Sequence, residues 1–278
     1  MEIKEFVRLA IQEDVKQGDH STLSCIPTES VGFAKLLVKE NGIISGINIA
    51  KNIFKSFDSS ISFKRILNDG QKVSIGDVAF IVSGRSSSIL TIERLVLNVM
   101  QRMSAISTLT NQYVEKVNGL NSKILDTRKT TPLNRFLEKQ AVMIGGGYNH
   151  RFGLYDMVML KDNHIDFAGG IKQAIEKTNK YLNDKKLDIK IEIETRNLEE
   201  VKKVLQYGNV HRIMMDNFNY KDLKKGVEII NGKFETEASG GINLETVKDY
   251  ALCGVDFISV GALTHSVSNM DLSLKAVK

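Results

Sequence analysis

A chain of 278 residues with 38 basic and 33 acidic side chains carries a formal charge of +5, and 42% hydrophobic with 26% charged residues is the balance of a folded chain, which excludes disorder. The charge excess is small and no Lys/Arg run exceeds two residues, which argues against nucleic acid as a partner and suits small anions better. No apolar stretch approaches the roughly 18 residues of a membrane helix, so no membrane span is expected.

At the start, Ile3, Phe6, Val7, Ala10 and Ile11 stand at helical spacing among Glu2, Lys4, Glu5 and Arg8, which predicts an amphipathic helix rather than the apolar core of an export signal. A cytoplasmic protein is expected. Cys25 and Cys253 are too few and too far apart for a disulfide framework and read as reduced thiols in packing roles. Val31 to Val38 reads as a strand, Asn41-Gly42 as a turn and Ile47 to Phe57 as a helix. Ile61 to Ile66 and Val78 to Val82 read as further strands, with turn chemistry at Asn68-Asp69-Gly70 between them. From Ser87 to about Val117 the apolar residues Leu95, Val99, Met103 and Ile106 recur at helical spacing with no proline.

Beyond that helix the pattern becomes repetitive. Strand-sized runs end at Asp126, Lys161, Glu194, Asp216, Ser239 and Gly261, and helical patterns at 171–182, 198–207, 220–230 and 244–252 separate most of them. This βαβα order implies a parallel sheet, and six such strands can close into a barrel. Each run finishes on a polar residue or a glycine, so all six endings share one face, the face on which α/β barrels carry their active sites.

Between Asp126 and His164 lie six cations: Arg128, Lys129, Arg135, Lys139, Arg151 and Lys161. Arg matches a carboxylate with a planar fork and Lys adds a compact charge, so the mixture suits a doubly anionic small molecule. Arg135 and Lys139, beside Glu138 on a helical pattern, read better as a solvated face. Gly145-Gly146-Gly147 stops that helix and lets the backbone turn sharply to aim His150 and Arg151. Toward the end, Ser239-Gly240-Gly241-Ile242 precedes a helix capped by Asn243, and Gly261-Ala262 follows the next strand. Both are loops where such barrels hold phosphate. Glu194 and Asp216, on neighbouring strand ends, could hold a hydrated Mg²⁺ or ribose hydroxyls. His20, His150, His164, His211 and His265 include no His-x-x-x-His pair, which argues against zinc; His211 and His265 read as surface residues.

Asp126-Thr127-Arg128-Lys129-Thr130-Thr131-Pro132, Leu137-Glu138-Lys139, Gly145 to Arg151 and Lys161-Asp162-Asn163-His164 closely resemble the quinolinate phosphoribosyltransferase family, as do Gly18-Asp19-His20-Ser21-Thr22, Glu93-Arg94 and Leu97-Asn98. The resemblance implies an α/β protein of type II phosphoribosyltransferase class. An N-terminal α+β sandwich domain would span residues 1–105 and an incomplete α/β barrel residues 106–278, with the last residues able to pack back on the N-terminal domain. It implies a homodimer that converts quinolinate and phosphoribosyl pyrophosphate to nicotinate mononucleotide, pyrophosphate and CO2, with Mg²⁺, in de novo NAD biosynthesis. By match, Arg128, His150, Arg151 and Lys161 would bind quinolinate, joined by Arg94 across the interface, with Lys129 near both substrates. Glu194 and Asp216 would serve the ribose and the metal, directly or through water, and Ser239, Gly240, Gly241 and Gly261 the phosphate. Catalytic roles would fall to Lys129, Lys161, Glu194 and Asp216. Two residues depart from the pattern: Leu133 and Ala105 stand where the family usually has Gly.

Three other readings compete. A paralogue with altered substrate, such as the molybdenum-transport-associated relatives, is opposed by the intact Arg128-Lys129 and Asn149-His150-Arg151. Lys161 at a strand end also suits a Schiff base, which borohydride trapping would reveal. An RNA-binding module would need a basic-aromatic surface motif, and none is evident.

Overall fold

The structure is a computed structural model that describes residues 2–277. In chain order the elements are α1 (Ile3–Asp14), α2 (His20–Cys25), β1 (Val31–Val38), β2 (Gly42–Ile43), α3 (Ile47–Phe57), β3 (Ser62–Arg65), β4 (Lys72–Val73), β5 (Val78–Arg85) and the long α4 (Ser86–Lys116). Then follow β6 (Lys123–Leu125), α5 (Arg135–Ile144), β7 (Met157–Leu160), α6 (Asp162–Ala168), α7 (Ile171–Lys185), β8 (Lys190–Thr195), α8 (Leu198–Tyr207) and β9 (Arg212–Asp216). The chain ends with α9 (Tyr220–Ile230), β10 (Glu235–Ser239), α10 (Val247–Leu252), β11 (Phe257–Ser259), α11 (Ala262–His265) and β12 (Leu272–Val277).

Two compact units divide these elements, and neither is contiguous. The first takes the chain up to Asn111, the stretch Thr131–Gly146 and everything from Ser266 onward; the second takes Gln112–Thr130 and Gly147–His265.

The first unit is built on an antiparallel sheet in the order β12-β1-β5-β3. Alternation along β1 buries Ala34, Leu36 and Val38, and these face a core that includes Phe54, Phe80 and Val82. Asp19 accepts the Thr22 amide at 3.1 Å to cap α2 and also accepts the Thr91 hydroxyl at 3.2 Å, which ties the N-terminal segment to α4. The Asn41-Gly42 position is not a simple turn. Gly42 and Ile43 form a short strand against β4, because the Ile43 amide donates to Thr108 Oγ1 at 2.8 Å and only a glycine fits against that side chain.

The second unit carries a six-stranded parallel sheet in the order β6-β11-β10-β9-β8-β7. All six sequence-predicted strands are present. They curve as a barrel sheet but do not close it: β6 and β7 are the two edges, and no pairing joins them among the described residues. The stretch between them contains α5, which belongs to the first unit instead of the barrel's outer helical layer. The outer helices α7, α8 and α9 match their sequence patterns and bury the expected stripes, such as Ile171, Ala174, Ile175 and Leu182 on α7.

Several helices differ from the sequence reading, among them the short α2 and α11, which it did not contain. The predicted helix at 244–252 begins only at Val247, because the Asn243 side chain accepts the amides of Glu245 and Thr246 at 2.9 and 3.1 Å and holds residues 244–246 in turns. Conversely, Asp162 starts a helix that periodicity did not reveal, where His164 Nδ1 accepts the Lys161 amide at 3.0 Å. No helix among the described residues is long and apolar enough to cross a membrane.

Ala105, buried on α4, fits its methyl into the core. Leu133 adopts the left-handed conformation that favours glycine: its φ is 65° and the residue is 71% exposed. A left-handed L-residue costs about 1–2 kcal/mol, partly offset by the entropy that a glycine would lose, and little burial is at stake here. Leu133→Gly is therefore expected to stabilise the protein by up to about 1 kcal/mol in thermal unfolding. A lowered Tm would mean that the leucine's contacts outweigh its backbone strain.

Candidate active site

At the C-terminal ends of the strands in the second unit lies a cavity of about 890 Å³. Parallel pairing sets its floor, because register places Ser239 beside Asp216 and Glu194 beside Met214, so residues from successive strands reach one level. Arg128, Lys129, His150, Arg151 and Lys161 line one part of the cavity. Glu194, Asp216, Ser239, Gly240, Gly241 and Gly261 line the rest. Arg94 is not among them. It is exposed on α4, in the first unit, beside a separate cavity of about 410 Å³. Arg135 lies outside the cavity lining, and Lys139 is a fully buried side chain of α5 rather than part of a solvated face.

The cationic side is under electrostatic tension. Burial and the neighbouring charge of Arg128 both lower the pKa of Arg151, whose Nη1 donates to the Met157 carbonyl at 3.2 Å. Arg128 Nε is buried with no hydrogen-bond partner. Two guanidiniums held within mutual repulsion, one with an unmatched donor, form a site that an anion completes. Lys161 Nζ lies 3.4 Å from Glu194 Oε2, half exposed, so this pair constrains geometry more than it adds stability.

On the anionic side, burial raises the Glu194 pKa, Lys161 opposes that shift and the nearby Asp216 charge adds to it. Asn217, at φ 55°, donates from Nδ2 to Asp216 Oδ2 at 2.6 Å. Two hard carboxylates that repel each other beside an open cavity suit a magnesium ion that keeps most of its waters, since a cation would relieve the repulsion.

The glycine wall has a steric reason. Gly240 has φ 101°, and a methyl there would collide with Asn217 Oδ1 and lie 2.9 Å from the Asn217 nitrogen. At Gly261 a methyl would come 3.1 Å from the Lys129 chain and from the His265 ring. Lys129 is further fixed by Thr264 Oγ1, which donates to its carbonyl at 2.8 Å.

Sequence reasoning missed the layer beneath this cavity. His150 Nε2 is 2.9 Å from Glu192 Oε2 and 3.5 Å from Glu237 Oε2, and Arg212 Nη1 is 2.9 Å from that same Glu237 oxygen. The Arg212 guanidinium also stacks 3.9 Å over the Phe257 ring. The signal was strand parity. Glu192 lies two before Glu194, Glu237 two before Ser239, and Arg212 four before Asp216, so each points into the barrel below a cavity residue. His265, read as a surface residue, is exposed but lines the cavity, as do Asp162 and Asn217.

Burial pushes the Glu192 carboxyl up to about 7 and Glu237 to about 8; Glu192's charge adds to the Glu237 shift, while His150 and Arg212 oppose it. Glu237's folded pKa thus lies above its unfolded value, so the folded state binds the extra proton and stability falls as pH rises toward 8. Thermal unfolding should show the wild-type Tm falling from pH 5 to pH 8 more steeply than that of Glu237→Gln, whose amide does not ionise. Parallel curves would mean that Glu237 is ionised throughout.

Residues 19–104 match the N-terminal domain of quinolinate phosphoribosyl transferase, and residues 106–275 match its C-terminal domain. The chain is 46% identical to quinolinate phosphoribosyltransferase [decarboxylating] 2b, mitochondrial, of Nicotiana tabacum, over 99% of this chain and 82% of that protein. It is 39% identical to a probable nicotinate-nucleotide pyrophosphorylase [carboxylating] of Synechocystis, over 96% and 90% of the two chains. The crystal structure of nicotinate-nucleotide pyrophosphorylase from Ehrlichia chaffeensis superposes with a TM-score of 0.93 at 35% identity, covering 100% of this chain and 99% of that one.

Proposed function

The chain belongs to the quinolinate phosphoribosyltransferase family, and from that premise we propose how its cavity divides the reaction among its side chains. The protein transfers the phosphoribosyl group of phosphoribosyl pyrophosphate to quinolinate with decarboxylation, giving nicotinate mononucleotide, pyrophosphate and CO2 in NAD biosynthesis.

The observation that carries the assignment is the mutual repulsion of Arg128 and Arg151 beside Lys161. In this reading they bind the adjacent carboxylates of quinolinate, and Lys129 stands between that ring and the second substrate. The pyridine nitrogen displaces pyrophosphate at a ribose carbon that becomes oxocarbenium-like, and Glu194 and Asp216 stabilise the positive charge developing there and hold the ribose hydroxyls. Ser239, Gly240, Gly241 and Gly261 cradle the phosphate, the glycines permitting close approach of the backbone and Ser239 offering its hydroxyl. Glu194 and Asp216 would also hold Mg²⁺ through its waters, and that ion when bound supplies neutralising charge to the pyrophosphate. Loss of the carboxylate next to the ring nitrogen is eased by the pyridinium charge, so the protein need only hold and desolvate the ring. Lys161, paired with Glu194, links the two halves of the site.

Two free thiols, Cys25 exposed and Cys253 half-buried, are in keeping with a reducing, cytoplasmic setting.

Arg128→Ala is expected to weaken quinolinate binding by tens to thousands-fold, the effect of about 2–5 kcal/mol from an unmatched charge, while phosphoribosyl pyrophosphate binding is largely retained. Calorimetry showing both affinities falling together would place Arg128 on the other substrate.

Arg94, exposed and outside the cavity lining, is proposed to enter the site of the partner in a homodimer. Arg94→Ala and Lys161→Ala homodimers should each be inactive, and unfolding, mixing and refolding them should recover roughly a quarter of wild-type activity per total site, because half the dimers are hybrids with one intact site. No recovery, while wild type survives the same cycle, would confine Arg94 to its own chain or to no site.

A further inference from the structure

Of the six strand endings, Asp126 alone stays out of the cavity lining, and the residue is fully buried. The strand it follows, β6, is an open edge of the parallel sheet, and Tyr148 lies along that edge in a single parallel bridge to Leu125. The Tyr148 amide donates to the Ile124 carbonyl at 2.8 Å, and the Asp126 amide donates to the Tyr148 carbonyl at 3.1 Å. A parallel ladder continued by one step would next carry the His150 amide to the main-chain carbonyl of Asp126. The side chain takes that place instead: the His150 amide donates to Asp126 Oδ1 at 2.8 Å. The ladder therefore ends there, and the two backbones part while remaining tied.

What they carry away from this point are cations. Arg128 lies two residues past Asp126 and Arg151 follows His150 directly, and both line the cavity. Each segment has a second hold further on: the Lys129 amide donates to Thr127 Oγ1 at 3.1 Å, and the Phe152 and Gly153 amides donate to the Asp156 carboxyl at 2.6 and 2.8 Å. Asp126 joins one segment to the other. Like charges brought together push their backbones apart, and the charge of Arg128 does bear on Arg151, so the pair needs a buried contact of fixed reach. We propose that Asp126 is a positioning residue whose buried side chain clasps the two segments together and so fixes the spacing of Arg128 and Arg151 for the paired carboxylates of quinolinate. The proposal rests on the reading of those two arginines as quinolinate-binding groups, and it works through the backbone of His150, leaving the ring of that residue to the site.

Dissociation constants for quinolinate and for phosphoribosyl pyrophosphate, measured by calorimetry on the full chain and paired with amide hydrogen exchange, test this. Asp126→Ala should weaken quinolinate about tenfold, the effect of one lost buried hydrogen bond, with phosphoribosyl pyrophosphate changed less than about twofold. Asp126→Asn, whose side-chain oxygen can still accept the His150 amide, should stay within about threefold of wild type. Exchange separates the clasp from general loosening: in Asp126→Ala the His150 amide should lose its protection, while that of Tyr148, held by main chain, keeps it. Should Asp126→Ala fail to fold, Asp126→Ser, polar but one bond shorter, carries the same comparison. Quinolinate affinity unchanged in Asp126→Ala, or an Asn variant as weak as the Ala one, would overturn the clasp. Loss of protection at His150 and Tyr148 together would do the same, reducing Asp126 to a general role in stability. A loss of phosphoribosyl pyrophosphate affinity in place of quinolinate affinity, with His150 alone deprotected, would instead overturn the reading of the two arginines.

Discussion

The interaction on which the rest of the second unit depends is the contact between Arg212 and Glu237, 2.9 Å apart inside the sheet. An unpaired guanidinium at that depth would cost several kcal/mol, so Arg212 requires the Glu237 oxygen as an acceptor whether or not that carboxyl is protonated, and the polar layer they start takes in Glu192 and His150. Apolar packing fills most α/β barrels at this level. Here the layer below the cavity is polar, with His150, Glu192, Arg212 and Glu237 packed within 2.9 to 3.5 Å of one another beneath the cavity residues. Such contacts trade some stability for placement. A buried pair of this kind adds little to folding compared with a hydrophobic replacement, but each partner tolerates only a narrow geometry.

The cavity above works on the opposite principle. Arg128 and Arg151 repel one another, and Glu194 and Asp216 do so on the other side, so neither cluster is electrostatically satisfied by the protein alone. Two separated imbalances of opposite sign in one cavity orient a guest with both an anionic ring and a polyhydroxylated, phosphorylated arm. The Lys161–Glu194 pair is where they meet, 3.4 Å apart with the ammonium half exposed.

Much of this could be read from the sequence. The six polar or glycine strand endings identified the face that bears the cavity, because a strand's last residue needs no tertiary knowledge to be located. The outer helices were legible for the same reason, each carrying a clean apolar stripe. What escaped was set by contacts distant in sequence. Glu192 and Glu237 sit in mid-strand, where the apolar neighbours Ile191 and Ala238 mask them, and only the pairing of strands shows that Arg212 answers them. The start of α10 depended on whether Asn243 capped an α-helix or a turn, two states that begin with the same residue. Lys139 read as solvated because it stands beside Glu138 on a helical pattern, whereas both side chains are buried on α5, which belongs to the first unit.

The last strand, β12, runs beside β1 in the first unit's sheet, pairing Phe33 with Val277 and Val38 with Leu272. An element made before the second unit's strands is thus completed by one made after them. During synthesis, β1 leaves the ribosome with that edge unpaired and stays so until all six parallel strands of the second unit have emerged. An unpaired edge of alternating apolar residues is open to intermolecular strand addition. The order of synthesis therefore leaves that edge open to association between nascent copies while the second unit's strands are being made, and makes the first unit, although it is begun first, the later of the two to complete its sheet.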